Sequence, residues 1–147
     1  MTSKKETNCS RIKQSWHAIA RMYNNEAIKH NLTTTIGFVL LQIDHKDGVA
    51  STSIGPSIGM EPTSLTRTIN QMEEKGLIVR KRDKKDARRV MIVLTEKGKA
   101  KREISKKAVK TFNEQIEKKI GTAKLKIFCD VINEINSIAD TRKSLVK

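Results

Sequence analysis

Aromatic side chains are scarce in this 147-residue chain, which holds one Trp, one Tyr and three Phe. The five, Trp16, Tyr23, Phe38, Phe112 and Phe128, fall mostly on apolar stripes, so no stacking platform for unpaired bases is visible. Cysteine is almost absent. Cys9 and Cys129 lie far apart and in no Cys-x-x-Cys unit, so neither a disulfide framework nor a zinc site is indicated. Long apolar runs are missing as well. Stretches such as "FVLL" fall far short of the roughly 20 residues that a bilayer span requires, and "MTSKKETNCS" lacks the apolar segment of a secretory signal. A soluble cytoplasmic protein without a membrane partner is expected. His17, His30 and His45 have neither metal-ligand spacing nor a nucleophile motif around them. No metal, cofactor or catalytic residue is therefore expected, and the chain does not look like an enzyme.

Basic charge is what the sequence has in excess. Thirty Lys and Arg stand against sixteen Asp and Glu, giving a formal net charge of +14 and a pI near 10.0. That balance favours nucleic acid, an anionic membrane surface or an acidic protein as partner. The lysine-rich "KAKREISKKAVK" spreads its charge around much of a helix, so a discrete lipid-binding face is not evident. The length suits one domain, residues 1–147.

Helical periodicity runs through most of the chain. Ile12, Trp16, Ile19, Tyr23 and Ala27 recur at spacings of three and four and form one stripe. In "LTTTIGFVLLQI" the threonines stand where a cap belongs, and Ile36, Val39, Leu40 and Ile43 share a face. Phe38 and Leu41 lie off that face, so this helix should be covered on two sides or border a cavity. Two short helices follow, joined at Gly59 and Met60, with the first starting near Thr52 or Ser53 and Pro56 in its first turn. Gly55 allows a close crossing of the pair. Pro62 suits the first position of the second helix and Gly76 the position past its end. Leu65, Ile69 and Met72 form its buried stripe, leaving Thr63, Thr66, Arg67 and Asn70 on the opposite side, with groups suited to base edges and phosphates.

Directly after that helix, "LIVRKR" and "RRVMIVL" read as strands joined by "DKKDA", a hairpin. Lys75, Arg80, Lys81, Arg82, Lys84, Lys85, Arg88 and Arg89 outnumber Asp83 and Asp86 there, a local net charge of +6. Such self-repulsion at a ribbon tip is accounted for by a polyanion lying against it. Two short helices and a basic hairpin make a winged helix-turn-helix. The fold class is mainly α with a small β wing, the DNA-binding part spanning residues 32–95.

The order "LTTTIGFVLLQI", "IGMEPTSLTRTINQMEEKGLIVRKRDKKDARRVMIVLTEKG" and two long helices resembles the MarR family of bacterial transcriptional regulators. Its most specific parts are "MEEKGLI", the wing motif Asp86-x-Arg88 and "LTEKG" at Leu94 to Gly98. The resemblance implies a recognition helix in the major groove, with contacts from Thr63, Ser64, Thr66, Arg67 and Asn70. It also implies a wing in the minor groove, formed by Arg82, Lys84, Lys85, Asp86, Arg88 and Arg89. Arg88 would probe the groove, and Asp86 would brace neighbouring basic side chains.

Thr95 suits the N-cap of a long helix striped by Val109, Phe112, Ile116 and Ile120. A last helix repeats Leu125, Phe128, Ile132, Ile135 and Ala139 at three and four, the spacing of a coiled-coil-like seam. An intramolecular core is one account of these stripes; the resemblance implies instead that residues 10–31 and 96–143 are dimerisation helices of a homodimer, the operator near-palindromic with half-sites about 34 Å apart or a multiple of that. The resemblance further implies a repressor released by a small aromatic or lipophilic anionic ligand, for which Trp16, Tyr23, Phe38 and Leu41 are the candidate lining. A packing role is the competing account of those four. Cys9 lacks the pattern of the family's peroxide-sensing branch. A nonspecific RNA-binding or nucleoid-associated protein is the alternative function.

Overall fold

Threonine hydroxyls open three of the helices. Thr7 accepts from the Ser10 N–H, Thr33 from Ile36 and Thr95 from Gly98, at 3.0–3.1 Å, each satisfying an amide that the first turn leaves unpaired. The computed structural model describes residues 6–141, so residues 142–143 of the expected C-terminal helices lie outside the described residues. In chain order the elements are α1 (Asn8–Ile28), α2 (Thr34–Gln42), β1 (Val49–Ala50), α3 (Ser51–Ile58), α4 (Pro62–Glu74), β2 (Ile78–Arg82), β3 (Val90–Leu94), α5 (Glu96–Ile120) and α6 (Thr122–Thr141). The expectation of a mainly α fold with a small β wing stands, with one addition. The hairpin is part of a three-stranded antiparallel sheet in the order β1-β3-β2, with Val49 opposite Ile92 and Ile78 opposite Leu94.

The chain divides into two compact units, one ending at Ala108 and the other beginning at Val109. In the first, Ile36, Val39, Leu40 and Ile43 from the α2 region pack with Ile54, Ile69, Met72, Leu77, Ile78 and Ile92 in one buried core. Burying each such side chain contributes about 1.5–3 kcal/mol, so this core sets where α3, α4 and the hairpin lie. Gly55 is buried in α3, where a Cβ would stand 3.0 Å from the Met60 carbonyl oxygen and 3.4 Å from Leu65 Cδ2. The close crossing anticipated at Gly55 is thus present. Pro56 is the sixth residue of α3 rather than a first-turn residue, because the helix begins earlier than expected, at Ser51.

Gly98 accounts for the glycine of "LTEKG". A Cβ there would lie 1.9 Å from the Leu77 carbonyl oxygen, so only glycine lets the first turn of α5 sit against the start of the hairpin. Thr95 joins the same place twice over, through its N–H to Leu77 O at 3.0 Å and its hydroxyl to Gly76 O at 2.6 Å. In the second unit, Leu125, Ile132 and Ile135 of the expected seam are half-buried, whereas Phe128 and Ala139 are exposed. A further apolar stripe, Ile127, Val131 and Ile138, is exposed at 48–63%.

Candidate nucleic-acid interface

Helix α4 starts with Pro62 at its first position and is followed by Gly76 at φ +68°, as the sequence predicts. Its inner side buries Thr68, Ile69 and Met72. Thr68 tolerates burial because its hydroxyl donates to Ser64 O at 3.0 Å. Thr63, Ser64, Thr66, Arg67 and Asn70 are all exposed. Pro62, Thr63, Thr66, Arg67, Asn70, Gln71 and Glu74 line a shallow, open depression along this face. The Thr66 hydroxyl already donates to Pro62 O at 2.9 Å, leaving it free to act as an acceptor. Arg67 has no hydrogen-bond or ion-pair partner among the described residues.

The hairpin tip is built by its two acids. Asp83 Oδ1 accepts from the Lys85 N–H at 2.9 Å, and Asp86 Oδ1 accepts from the Arg88 N–H at 3.0 Å. These are side-chain-closed turns of the kind aspartate forms with the backbone two residues on. Main-chain bonds from Asp83 N to Arg89 O and from Arg89 N to Asp86 O, 3.0 and 2.9 Å, close the loop. Asp86, expected to brace a basic side chain, has no side-chain ion pair among the described residues. Its carboxylate holds a backbone amide, and the side-chain ion pair of the loop is Asp83 with Arg89 at 3.7 Å. Arg82, Lys84, Lys85 and Arg88 are exposed, and their side chains have no carboxylate partner among the described residues.

Arg80 was counted in the basic run but not singled out by sequence reasoning. Its guanidinium leaves β2 and donates from Nη2 to Asn70 Oδ1 at 2.6 Å and from Nη1 to Glu73 Oε2. Helix α4 and the base of the hairpin are joined by that fork. The spacing of Asn70 and Glu73, three apart on one helix face, is a signal that could have pointed to a strand cation between them.

Among the candidate ligand-lining residues, Phe38 sits between two others. Its ring lies 6.1 Å from that of Trp16, nearly parallel at 26°, and 5.8 Å from that of Tyr23, edge-on at 77°. Burial pushes the Tyr23 phenol above its ordinary pKa. Trp16 remains 51% exposed, and Leu41 is half-buried. A separate cavity of about 730 Å³, not foreseen from sequence, is lined by α3, α4 and the hairpin base, including Pro56, Met60, Leu65, Ile69 and Arg80. Cys9 and Cys129 are both exposed. No described helix is long and apolar enough to cross a membrane.

A sequence profile described as the MarR family matches residues 32–90. The HTH-type transcriptional regulator SarZ of Staphylococcus aureus (strain USA300) is 34% identical over 97 residues, which cover 65% of this chain and 66% of that protein, just under two thirds of its length. Among solved structures, MepR of S. aureus in a DNA complex aligns with a TM-score of 0.81 at 17% identity, over 90% of this chain and 98% of that one. The PcaV regulator of Streptomyces coelicolor, in complex with its natural ligand, aligns at 0.78 and 16% identity, over 95% and 98%. At these identities the structural likeness speaks to fold, and that fold is a winged helix with long flanking helices.

Proposed function

We propose that this chain, which matches the MarR family profile over residues 32–90, is a transcriptional regulator of that family that binds double-stranded DNA sequence-specifically. The observation that carries this is the pairing of displays on adjoining elements. Unpartnered Arg67 stands with hydroxyl groups on α4, and unpartnered Arg82, Lys84, Lys85 and Arg88 stand on the hairpin that Arg80 joins to α4. The helix suits a major groove, and an arginine on a thin ribbon suits a narrow minor groove of enhanced negative potential. The DNA-bound state of MepR supports the same use of this fold.

The finer proposal is a homodimeric repressor on a near-palindromic operator, released by a small aromatic or lipophilic anion. Exposed Ile12 and Trp16 on α1, and Ile127, Val131 and Ile138 on α6, supply apolar surface that a second copy would cover. The ring cluster of Trp16, Phe38 and Tyr23 supplies the chemistry for the ligand, and the liganded PcaV supports it. Genomic footprinting followed by salt titration on the recovered site tests the whole. A regulator prefers one near-palindromic site over random duplex by about 10³-fold or more, whereas a nonspecific basic binder has almost no preference.

A further inference from the structure

Arg80 differs from its neighbours on β2 because its charge is paired within the chain, at the surface. Its fork is filled at one end by Asn70 Oδ1 at 2.6 Å and at the other by Glu73 Oε2, and a planar guanidinium held at both ends has one orientation. The strand position beneath it is fixed as well. Arg80 pairs with Ile92 across the hairpin, and Ile92 is fully buried. Asn70 is affected in turn. Asparagine reads adenine through its oxygen and its amide together, and although Oδ1 can accept a second bond, the Arg80 bond fixes the orientation in which it does so. Glu73 would otherwise present a bare carboxylate beside the recognition face, where it would repel phosphate. Arg80 neutralises it.

We propose that Asn70 and Arg80 are positioning residues, forming with Glu73 a strut that holds the wing strand against the recognition helix and so sets the spacing between groove contacts. Asn70 then acts through Arg80. The consequence for DNA rests on the proposed function above, but the strut can be tested without DNA.

The experiment uses the full-length chain as wild type, Asn70→Ala, Arg80→Ala, Arg80→Lys and the Asn70→Ala/Arg80→Ala double variant. Amide hydrogen exchange of β2 is measured first on the DNA-free protein. Each variant, Arg80→Lys included, is expected to speed exchange in β2 about three- to tenfold, because lysine keeps the charge but cannot span two acceptors. Binding to the recovered operator is then titrated against salt. Arg80→Ala is expected to weaken binding about tenfold with a change in salt slope well under the roughly 0.9 of a lost phosphate contact, since the guanidinium is already paired within the chain, and the double variant is no weaker than the worse single one. A slope reduced by about 0.9 in Arg80→Ala would make it a direct phosphate contact and overturn the proposal. So would an Asn70→Ala variant that relaxes preference at one base pair and leaves β2 exchange unchanged. If wild type prefers no duplex, the regulator function fails, and the exchange measurement still decides the strut.

Discussion

Substitutions at Asp86 separate two ways in which an acid can serve a cationic loop. Its Oδ1 accepts from the Arg88 N–H at 3.0 Å, and the residue is exposed, so the bond contributes about 0.5–1 kcal/mol, the lower end of the range for hydrogen bonds. Asp86→Ala removes that acceptor and leaves the Arg88 backbone to be ordered when DNA binds. Operator affinity should fall about two- to fivefold at fixed salt. Loss of the negative charge acts the other way on any duplex, so binding to scrambled DNA should stay level or tighten. Asp86→Asn keeps an oxygen that closes the same turn but removes any ion pair. Fluorescence anisotropy with operator and scrambled duplexes, at several salt concentrations, distinguishes the two accounts. Asp86→Asn should bind the operator as wild type does, or slightly tighter, while Asp86→Ala is weakened on the operator alone. Equal weakening by both substitutions would mean that the carboxylate works through its charge on a basic side chain, and the backbone role would be refuted.

Arg67→Ala should relax base preference, whereas Lys84→Ala should weaken all duplexes alike and flatten the salt slope by about one; identical effects on specificity would contradict those roles. Gly98→Ala should lower the urea midpoint, because a Cβ 1.9 Å from the Leu77 carbonyl oxygen costs about 1–3 kcal/mol in overpacking against a helix-propensity gain of about 1. A raised midpoint would show that the turn has room. Asp44 accepts from the Asp47 and Lys46 N–H groups, both at 2.8 Å, and these bonds, helped by the Arg102 charge, hold its carboxyl below the usual carboxylate value. Its contribution is therefore present above the unfolded-state pKa, about 3.9, and is lost as pH falls through the lower folded value. Urea unfolding of Asp44→Asn across that acidic window should depend less steeply on pH than wild type, and an identical dependence would remove Asp44 from the acid response.

Legibility from sequence followed the range of the interaction. The ends of α4 were readable because Pro62 and Gly76 act on their own backbone, and its buried stripe because period and burial coincide at Ile69 and Met72. Strand β1 escaped because Val49 and Ala50 are too few to alternate, and it exists only through its pairing with Met91 and Ile92. In α6 the strict three-four spacing selected Leu125, Ile132 and Ile135, which are half-buried, but it also selected Phe128 and passed over Ile127, Val131 and Ile138. A helix apolar over so wide an arc has two stripes, and a search for one seam finds one. Arg80 is not distinguishable in the sequence for a related reason. In a list of basic residues it looks like its neighbours, and its partners lie seven and ten positions back along the chain.

The acids of the basic segment share a pattern that bears on why the charge is tolerated. Glu73 meets Arg80, Asp83 meets Arg89, and Asp83 and Asp86 each hold a backbone amide of the tip. Scattered over the surface, these carboxylates would lower the net charge everywhere and weaken the field for a polyanion. Placed as they are, they neutralise Arg80 in the middle of β2 and Arg89 just before β3 and shape the loop, while Lys84, Lys85 and Arg88 stay unneutralised at its tip. At physiological salt, charges separated by more than about 8 Å are largely screened, so the remaining repulsion is local and falls on exposed side chains that can splay apart. A loop braced by backbone bonds can carry that repulsion without unfolding, and a polyanion laid against it would relieve it.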